Sequence, residues 1–87
     1  MSVIARNVRV GRGEIDLLAV DGSERIAVEV KSRFRSDLDP MENFTEEKAA
    51  QVRALALSLR PRVHRVDFVG VAMTRGDVVI RWVSHAA

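Results

Sequence analysis

Two carboxylates and a lysine have the residue types and spacing of groups that do chemistry together. Twelve residues separate Asp16 from the tripeptide Glu29-Val30-Lys31. Within that gap, Gly22-Ser23 lies between two apolar stretches, which is typical of a hairpin whose two-residue loop forms a type II′ turn. Because side chains alternate along a strand, this turn places Asp16 opposite Glu29 on one face. Lys31 follows two residues further along the same face.

Facing carboxylates are unfavourable in a sheet, since like charges directly opposite each other destabilise the strand pair. The pattern therefore predicts a compensating partner: a shared proton, a nearby cation such as Lys31, or a bound metal. Carboxylate oxygens are ligands that Mg²⁺ prefers, and a site with few protein ligands leaves room for water and substrate. The alternative is an exposed network of ion pairs, which is common and contributes little stability. That network would comprise Glu14, Asp16, Glu29 and Lys31.

The hairpin register divides the side chains of its two strands between two faces. The first face is mostly apolar, and its predicted pairs are Asp21–Glu24, Ala19–Ile26, Leu17–Val28 and Ile15–Val30. The predicted pairs of the second face are Val20–Arg25, Leu18–Ala27, Asp16–Glu29 and Glu14–Lys31. We expect the helix that follows the hairpin to pack on the first face.

The segments on either side of the hairpin predict a strand before it and a helix after it. Residues 3–10 form the strand, and residues 33–43 are a polar, turn-rich loop. Thr45 is a suitable N-cap with two acidic residues directly after it, and Asn43 is the alternative, with Glu46 three residues on as in a capping box. The helix ends by Arg60 because Pro61 disfavours its continuation. Its apolar stripe comprises Ala49, Val52, Leu55, Ala56 and Leu59.

The C-terminal third predicts two more strands. Residues 64–73 are an almost continuous apolar run, typical of a strand buried on both faces. The right-handed crossover rule places this strand parallel to the third one. We interpret its Asp67 as structural, anchoring a neighbouring backbone amide. A turn at Arg75-Gly76-Asp77 leads to a last strand over residues 78–83, whose Ile80 and Trp82 we expect to face inward.

The motifs also resemble a known family. Taken in this order, the segments Ile4–Arg9 (IARNVR), Gly13–Leu18 (GEIDLL) and Val28–Arg33 (VEVKSR) are similar to the YraN family of uncharacterised bacterial proteins. The likeness continues through Lys48 and Val66–Val71. That family resembles the PD-(D/E)xK nuclease superfamily and the archaeal Holliday junction resolvases. Its members normally begin with a helix ahead of the first strand, and we expect that helix to be missing here.

The resemblance implies a fold and a site. The fold is α/β, a restriction-endonuclease-like core with a mixed five-stranded sheet in the order β-β-β-α-β-β, and residues 1–87 are expected to form one domain. The implied catalytic residues are Asp16, Glu29 and Lys31. The two carboxylates and the Val30 carbonyl would bind Mg²⁺ or Mn²⁺, and Glu14 would support the site from outside, for example by pairing with Lys31.

The reaction that the resemblance implies is hydrolysis of DNA phosphodiester bonds, on branched or recombining DNA. Phosphate groups of the DNA are best met by cations beside the site, since most protein–DNA hydrogen bonds go to the backbone. The turn between the first two strands, the loop after the third strand and the start of the helix carry such cations. The candidates are Arg9, Arg12, Arg33, Arg35 and Lys48.

Composition narrows the classes of protein. The chain has 87 residues, a hydrophobic content of 47%, no cysteine and a net charge of +2, and twelve of its 14 basic residues are arginine. These values exclude disulfides and thiolate metal sites and agree with a globular domain. The basic residues favour DNA as a partner, and the absence of a long apolar stretch argues against a membrane. We expect a cytoplasmic location. A homodimer is compatible with so small a domain. Two alternatives stay open: a nuclease-like fold that binds nucleic acid or protein without cutting, and a small structural or assembly domain.

Overall fold

The computed structural model describes residues 1–34 and 44–86; for residues 33 and 34 it describes the backbone only. Five strands form one sheet in the order β1-β2-β3-β4-β5, and every neighbouring pair is antiparallel except the parallel pair β3–β4. This confirms the predicted mixed sheet with one helix, consistent with a restriction-endonuclease-like fold. The elements are β1 (Ser2–Val10), β2 (Gly13–Asp21), β3 (Glu24–Phe34), α1 (Glu46–Ser58), β4 (Arg65–Thr74) and β5 (Asp77–Val83).

Helix α1 begins where its capping residue predicts. The Thr45 hydroxyl accepts a hydrogen bond from the backbone N–H of Lys48 at 3.1 Å, and Glu46 and Glu47 occupy the first turn, where acidic groups favour the helix dipole. The helix ends at Ser58, ahead of Pro61. As the crossover between β3 and β4 it allows these strands to run parallel. In the described part of the chain, no helix has the length and apolarity needed to cross a membrane.

The helix packs on the face that was not predicted. Its buried Val52 and Ala56 contact Leu18 and Ala27, on the same side of the sheet as the buried Glu29. The prediction that it covers the Ala19–Ile26 face was therefore wrong. The reason is that apolar pairs lie on both faces of the hairpin, Leu18–Ala27 on one and Ala19–Ile26 on the other, so alternation alone does not select one face. The core cluster comprises Ile15, Leu18, Ala27, Val52, Ala56, Val63, Val66 and Phe68.

The opposite face of the sheet, here called the open face, carries a second apolar cluster. Its buried members are Ala19, Ile26, Val28 and Val69, and Leu17, Val30 and Val71 pack beside them. Ile80 and Trp82 lie next to this cluster on the edge strand β5, with 65% and 49% of their surface exposed. The prediction that they face inward was wrong, because in residues 1–34 and 44–86 no helix covers this face.

A buried, hydrogen-bonded carboxylate lies at one end of the open face. Asp67 is fully buried, and its carboxylate accepts hydrogen bonds from Arg65 Nε at 3.0 Å, Trp82 Nε1 at 2.9 Å and the His85 backbone N–H at 3.1 Å. Burial alone would raise the pKa of Asp67, but these donors outweigh it and hold the pKa below its usual range. The His85 contact confirms the structural role expected of Asp67.

Asp67→Asn tests this network. The asparagine amide has one acceptor oxygen and an NH₂ group that cannot accept, so some of the donors around position 67 lose their acceptor. We therefore expect the free energy of unfolding to fall by about 3 kcal/mol at neutral pH. Because the folded-state pKa lies below the unfolded value, the carboxylate stabilises the fold above the ordinary aspartate range. That contribution is lost as pH falls through the folded-state pKa, so the difference between wild type and variant should shrink in acid.

The measurement is urea unfolding at a series of pH values. Asp21→Asn is the matched control, since the Asp21 carboxylate lies 3.8 Å from the same Arg65 but is 54% exposed. We expect the control to lose less than about 1 kcal/mol. Equal losses in the two variants would contradict a dominant role for the buried carboxylate.

Candidate active site

The strands β2 and β3 separate where the two candidate carboxylates lie. The predicted register is confirmed for five pairs, from Asp21–Glu24 to Leu17–Val28, and the ladder ends there. Beyond it, the predicted pairs of Ile15 with Val30, Asp16 with Glu29 and Glu14 with Lys31 do not form in the ladder. Instead, Asp16 Oδ2 accepts the Val30 N–H at 2.9 Å and Glu29 Oε1 accepts the Asp16 N–H at 3.4 Å. Side-chain carboxylates thus replace backbone carbonyls as acceptors.

An irregularity in β1 lies beside the same point. Asn7 has a φ of 51°, a left-handed conformation that asparagine tolerates better than most residues. Its neighbours pair with Leu17 and Ile15, but no ladder pair forms between Asn7 and Asp16. Ala5 packs on the helix side before it, and Val8 and Val10 do so after it. The alternation therefore shifts by one residue at Asn7.

This shift explains why Ile15 and Leu17 lie on different faces, although they were predicted to share one. Ile15 belongs to the core under the helix, whereas Leu17 packs in the cluster on the open face. Nothing in the hairpin pattern predicts this change. The sequence signal is Asn7 itself, a residue of low strand propensity that tolerates a positive φ.

The helix side of the separated strands forms a pocket of about 330 Å³. The structure brings the candidate residues Asp16, Glu29, Val30 and Lys31 together in it, and Lys48 joins them from the first turn of α1. Phe44, which sequence reasoning missed, also lines the pocket and stacks on Phe68 with ring centroids 4.1 Å apart. No spacing rule links Phe44 to the carboxylates, because its position depends on a tertiary contact.

Glu29 is the electrostatic centre of the pocket. Burial raises its pKa, and the nearby Asp16 carboxylate raises it further. Lys48 opposes this shift, with Nζ 3.8 Å from Glu29 Oε2, but its side chain is 48% exposed and solvent screens the attraction. The ion pair of Glu29 is therefore with Lys48 rather than with Lys31, the cation that the sequence offered.

The remaining candidate residues lie around the pocket or outside the part of the chain that the structure describes. Glu14 is exposed and pairs with Arg9 in the β1–β2 ladder, and its charge also raises the pKa of Glu29. The ion pair suggested between Glu14 and Lys31 is not among those formed by the described residues. Arg12 is exposed in the turn before β2. The Arg33 backbone pairs with β4, its side chain is not described, and Arg35 lies outside the described residues.

The oxygen donors of the pocket suit a hard cation. In the described ranges, no group of three or more His, Asp or Glu side chains is arranged to hold a metal. Two carboxylates are present, and the Val30 carbonyl adds a third oxygen on the same side, because the N–H of this strand residue points to Asp16 and its C=O points the same way. Such a set fits Mg²⁺ with several waters retained. A bound Mg²⁺ would also offset the repulsion between the two carboxylates, which raises the pKa of Glu29.

The model of the uncharacterised protein family UPF0102 matches residues 1–80. The chain belongs to this family. The membership confirms the resemblance to the YraN family that the sequence motifs indicated.

Curated members of UPF0102 are similar over most of the chain. The protein of Acidothermus cellulolyticus is 41% identical over 86 residues, covering 91% of this chain and 65% of the relative. That of Streptomyces coelicolor is 39% identical over 90 residues, covering 92% and 69%. That of Thermotoga neapolitana is 43% identical over 75 residues, covering 79% and 68%. The chain thus spans about two thirds of the length of these relatives.

Replacing Glu29 by glutamine tests whether the UPF0102 pocket holds unfavourable charge. The amide oxygen can still accept the Asp16 N–H, while the repulsion between carboxylates disappears. We expect Glu29→Gln to be more stable than wild type by about 1 kcal/mol at neutral pH without divalent cations, a rise of about 4–8 °C in Tm. Calorimetry in a chelating buffer is the measurement. Glu47→Gln, an exposed carboxylate on α1, should not raise Tm, and a Glu29→Gln protein that melts lower than wild type would contradict the prediction.

Proposed function

We propose that this UPF0102 chain is a metal-dependent endonuclease that hydrolyses phosphodiester bonds of DNA. The observation that supports it best is the pocket itself, which Asp16, Glu29 and Lys31 line together with Val30. Two like charges are held together there although their repulsion destabilises the fold. A domain that only needed a stable hairpin has no use for such a pair.

Each residue then has a role. Asp16, Glu29 and the Val30 carbonyl hold Mg²⁺ or Mn²⁺, which when bound lowers the pKa of a water and neutralises phosphate charge. The two carboxylates are oriented before substrate arrives, since each already accepts a backbone N–H from the opposite strand. The Lys31 ammonium donates to the attacking water and to the negative charge that develops on the phosphate oxygens.

Cations around the pocket bind the DNA backbone in this proposal. Lys48 lies at the pocket and is half exposed, so its ammonium can move from Glu29 to a phosphate once a metal offsets the carboxylate. Arg9 and Arg12 lie exposed at the end of the sheet where β2 begins. Arg33 and Arg35 follow Lys31 in the sequence and are proposed as further phosphate contacts on that ground alone. The resemblance to junction resolvases favours branched or recombining DNA as the substrate.

Cleavage of linear, nicked and four-way-junction DNA with Mg²⁺ or Mn²⁺ tests the proposal. We expect wild type to cut at least one of these substrates, and Lys31→Ala and Asp16→Asn to be slower by about 10²–10³-fold, as when a charge-stabilising group is removed. Asp21→Asn, the same chemical change on β2 away from the pocket, should cut like wild type. Equal cutting by all four proteins would indicate a contaminant and overturn the assignment.

Metal binding has a readout that does not depend on cutting. We expect millimolar Mg²⁺ or Mn²⁺ to raise the Tm of wild type, because a ligand at ten times its Kd stabilises by about 1.4 kcal/mol. The Tm of Asp16→Asn and Glu29→Gln should not respond, while that of Asp21→Asn should. A wild-type Tm that is indifferent to both cations would contradict a metal site in this pocket.

A second candidate function is binding of nucleic acid without cutting. It is favoured by the short donor set, since the described residues supply only two carboxylates, Asp16 and Glu29, to the pocket. The two candidates differ in the cleavage assay. DNA binding that weakens steeply with salt but produces no cut would favour the binding module, since phosphate contacts release counterions.

A further inference from the structure

The edge strand β5 has an unusual surface. Residues 77–82 are all exposed, and the apolar side chains among them are large: Val78 is 55% exposed, Val79 48%, Ile80 65% and Trp82 49%. β5 is the last strand of the sheet, and in the described part of the chain no strand pairs with its outer edge. A regular apolar edge of this kind is a ready template for another strand.

The other edge of the sheet is built differently. The ladder of β1 with β2 shifts register between Val3 and Ala5, Asn7 has a positive φ, and Arg6 and Arg9 are exposed on the strand. Bulges and charges of this kind oppose further strand pairing. β5 has neither Pro, Gly nor bulge, and its ladder with β4 runs unbroken over seven pairs. Of the two edges, β5 is the one suited to pairing.

We propose that two copies of this chain pair through β5 in antiparallel fashion, with a two-fold axis at Val79. An isologous contact of this kind uses the same strand of both subunits. Val79 lies opposite the partner subunit's Val79, Val78 opposite the partner subunit's Ile80, and Asp77 opposite the partner subunit's Arg81. The proposal goes beyond the endonuclease activity and does not depend on it.

Charge selects this register. Asp77 and Arg81 are the charged residues of β5, and three residues separate them along the strand. A two-fold axis at Val79 forms two ion pairs between them, whereas an axis at Ile80 would place Arg81 opposite an apolar valine. Arg81 also has a contact within its own chain. A guanidinium carries five N–H donors, so Arg81 can keep that contact and also donate to the partner subunit's Asp77.

The same register matches the apolar side chains. Val78 and Ile80 pair with residues of β4 on the open face, so dimerisation places the exposed apolar groups of both copies side by side. Beyond β5, the same register brings Trp82, whose indole N–H is bonded to Asp67 of its own chain, level with the partner subunit's Gly76 in the turn before the strand. In its own chain, Gly76 has a positive φ and open space around the position of a Cβ.

Sedimentation over a range of protein concentrations tests the contact. We expect a reversible dimer for wild type, and for Ile80→Lys a Kd raised by about tenfold or more. Ile4→Lys is the matched control, because Ile4 is an isoleucine of similar exposure on the opposite edge. We expect its dimer to be unchanged. Circular dichroism establishes that both variants are folded. A wild type that is monomeric at every concentration, or a dimer lost only in Ile4→Lys, overturns the proposal.

The register is tested by single cysteines, which a chain without cysteine allows. Directly facing Cα atoms in an antiparallel pair are about 4.5–5.5 Å apart, within reach of a disulfide. Val79→Cys should therefore cross-link fastest on oxidation, ahead of Ile80→Cys and Val3→Cys. Asp77→Arg and Arg81→Asp should each weaken the dimer, and the double variant should restore it. Faster cross-linking of Ile80→Cys, or no restoration, overturns the assigned register.

Discussion

Asp16 and Glu29 each accept a backbone N–H from the opposite strand at the point where β2 and β3 separate. These two hydrogen bonds replace the ladder bonds that a continuing hairpin would form, so the strands can part without leaving a buried N–H unpaired. The parted strands make the pocket, and the Val30 carbonyl points to the same side as the carboxylates. The helix, Lys48 and Phe44 then complete a site whose shape depends on this one exchange of acceptors.

The exchange has an electrostatic consequence. A neutral acceptor such as glutamine could satisfy the Asp16 N–H equally well, yet the chain has a carboxylate whose pKa is raised by burial and by its neighbour. The attraction of Lys48 acts across 3.8 Å through a half-exposed side chain, which is too weak to cancel both effects. Groups whose contacts only partly offset the stability they cost are expected at functional sites. Asp67, by contrast, shows what a compensated carboxylate looks like in the same sheet, with donors on every side.

Local signals fixed much of the fold in advance. Gly22-Ser23 set the hairpin register, Thr45 set the start of the helix, and the crossover rule made β4 parallel to β3. Tertiary packing decided the rest. Leu18 and Ala27 are as apolar as the residues of the other face, so the side chosen by the helix could not be read from alternation. The shift at Asn7 and the stacking of Phe44 on Phe68 involve strands and side chains distant in sequence. That Asp16, Glu29 and Lys31 share a pocket could be predicted, because their types and spacing are local to one hairpin.

Pairing through β5 would fix where the pockets of the two copies lie relative to each other. Lys31, Gly70 and Arg81 lie level across β3, β4 and β5. An antiparallel two-fold pairing of β5 keeps the helix sides of both copies on the same side of a continuous sheet. The two β3 strands would then be five strand spacings apart, about 24 Å. Both pockets would open on one surface, and because Lys31 lies level with Arg81, two residues from the Val79 axis, their separation would be somewhat larger than the strand spacing alone. A substrate with two backbone positions at that distance could occupy both, which a monomer offers no means of doing.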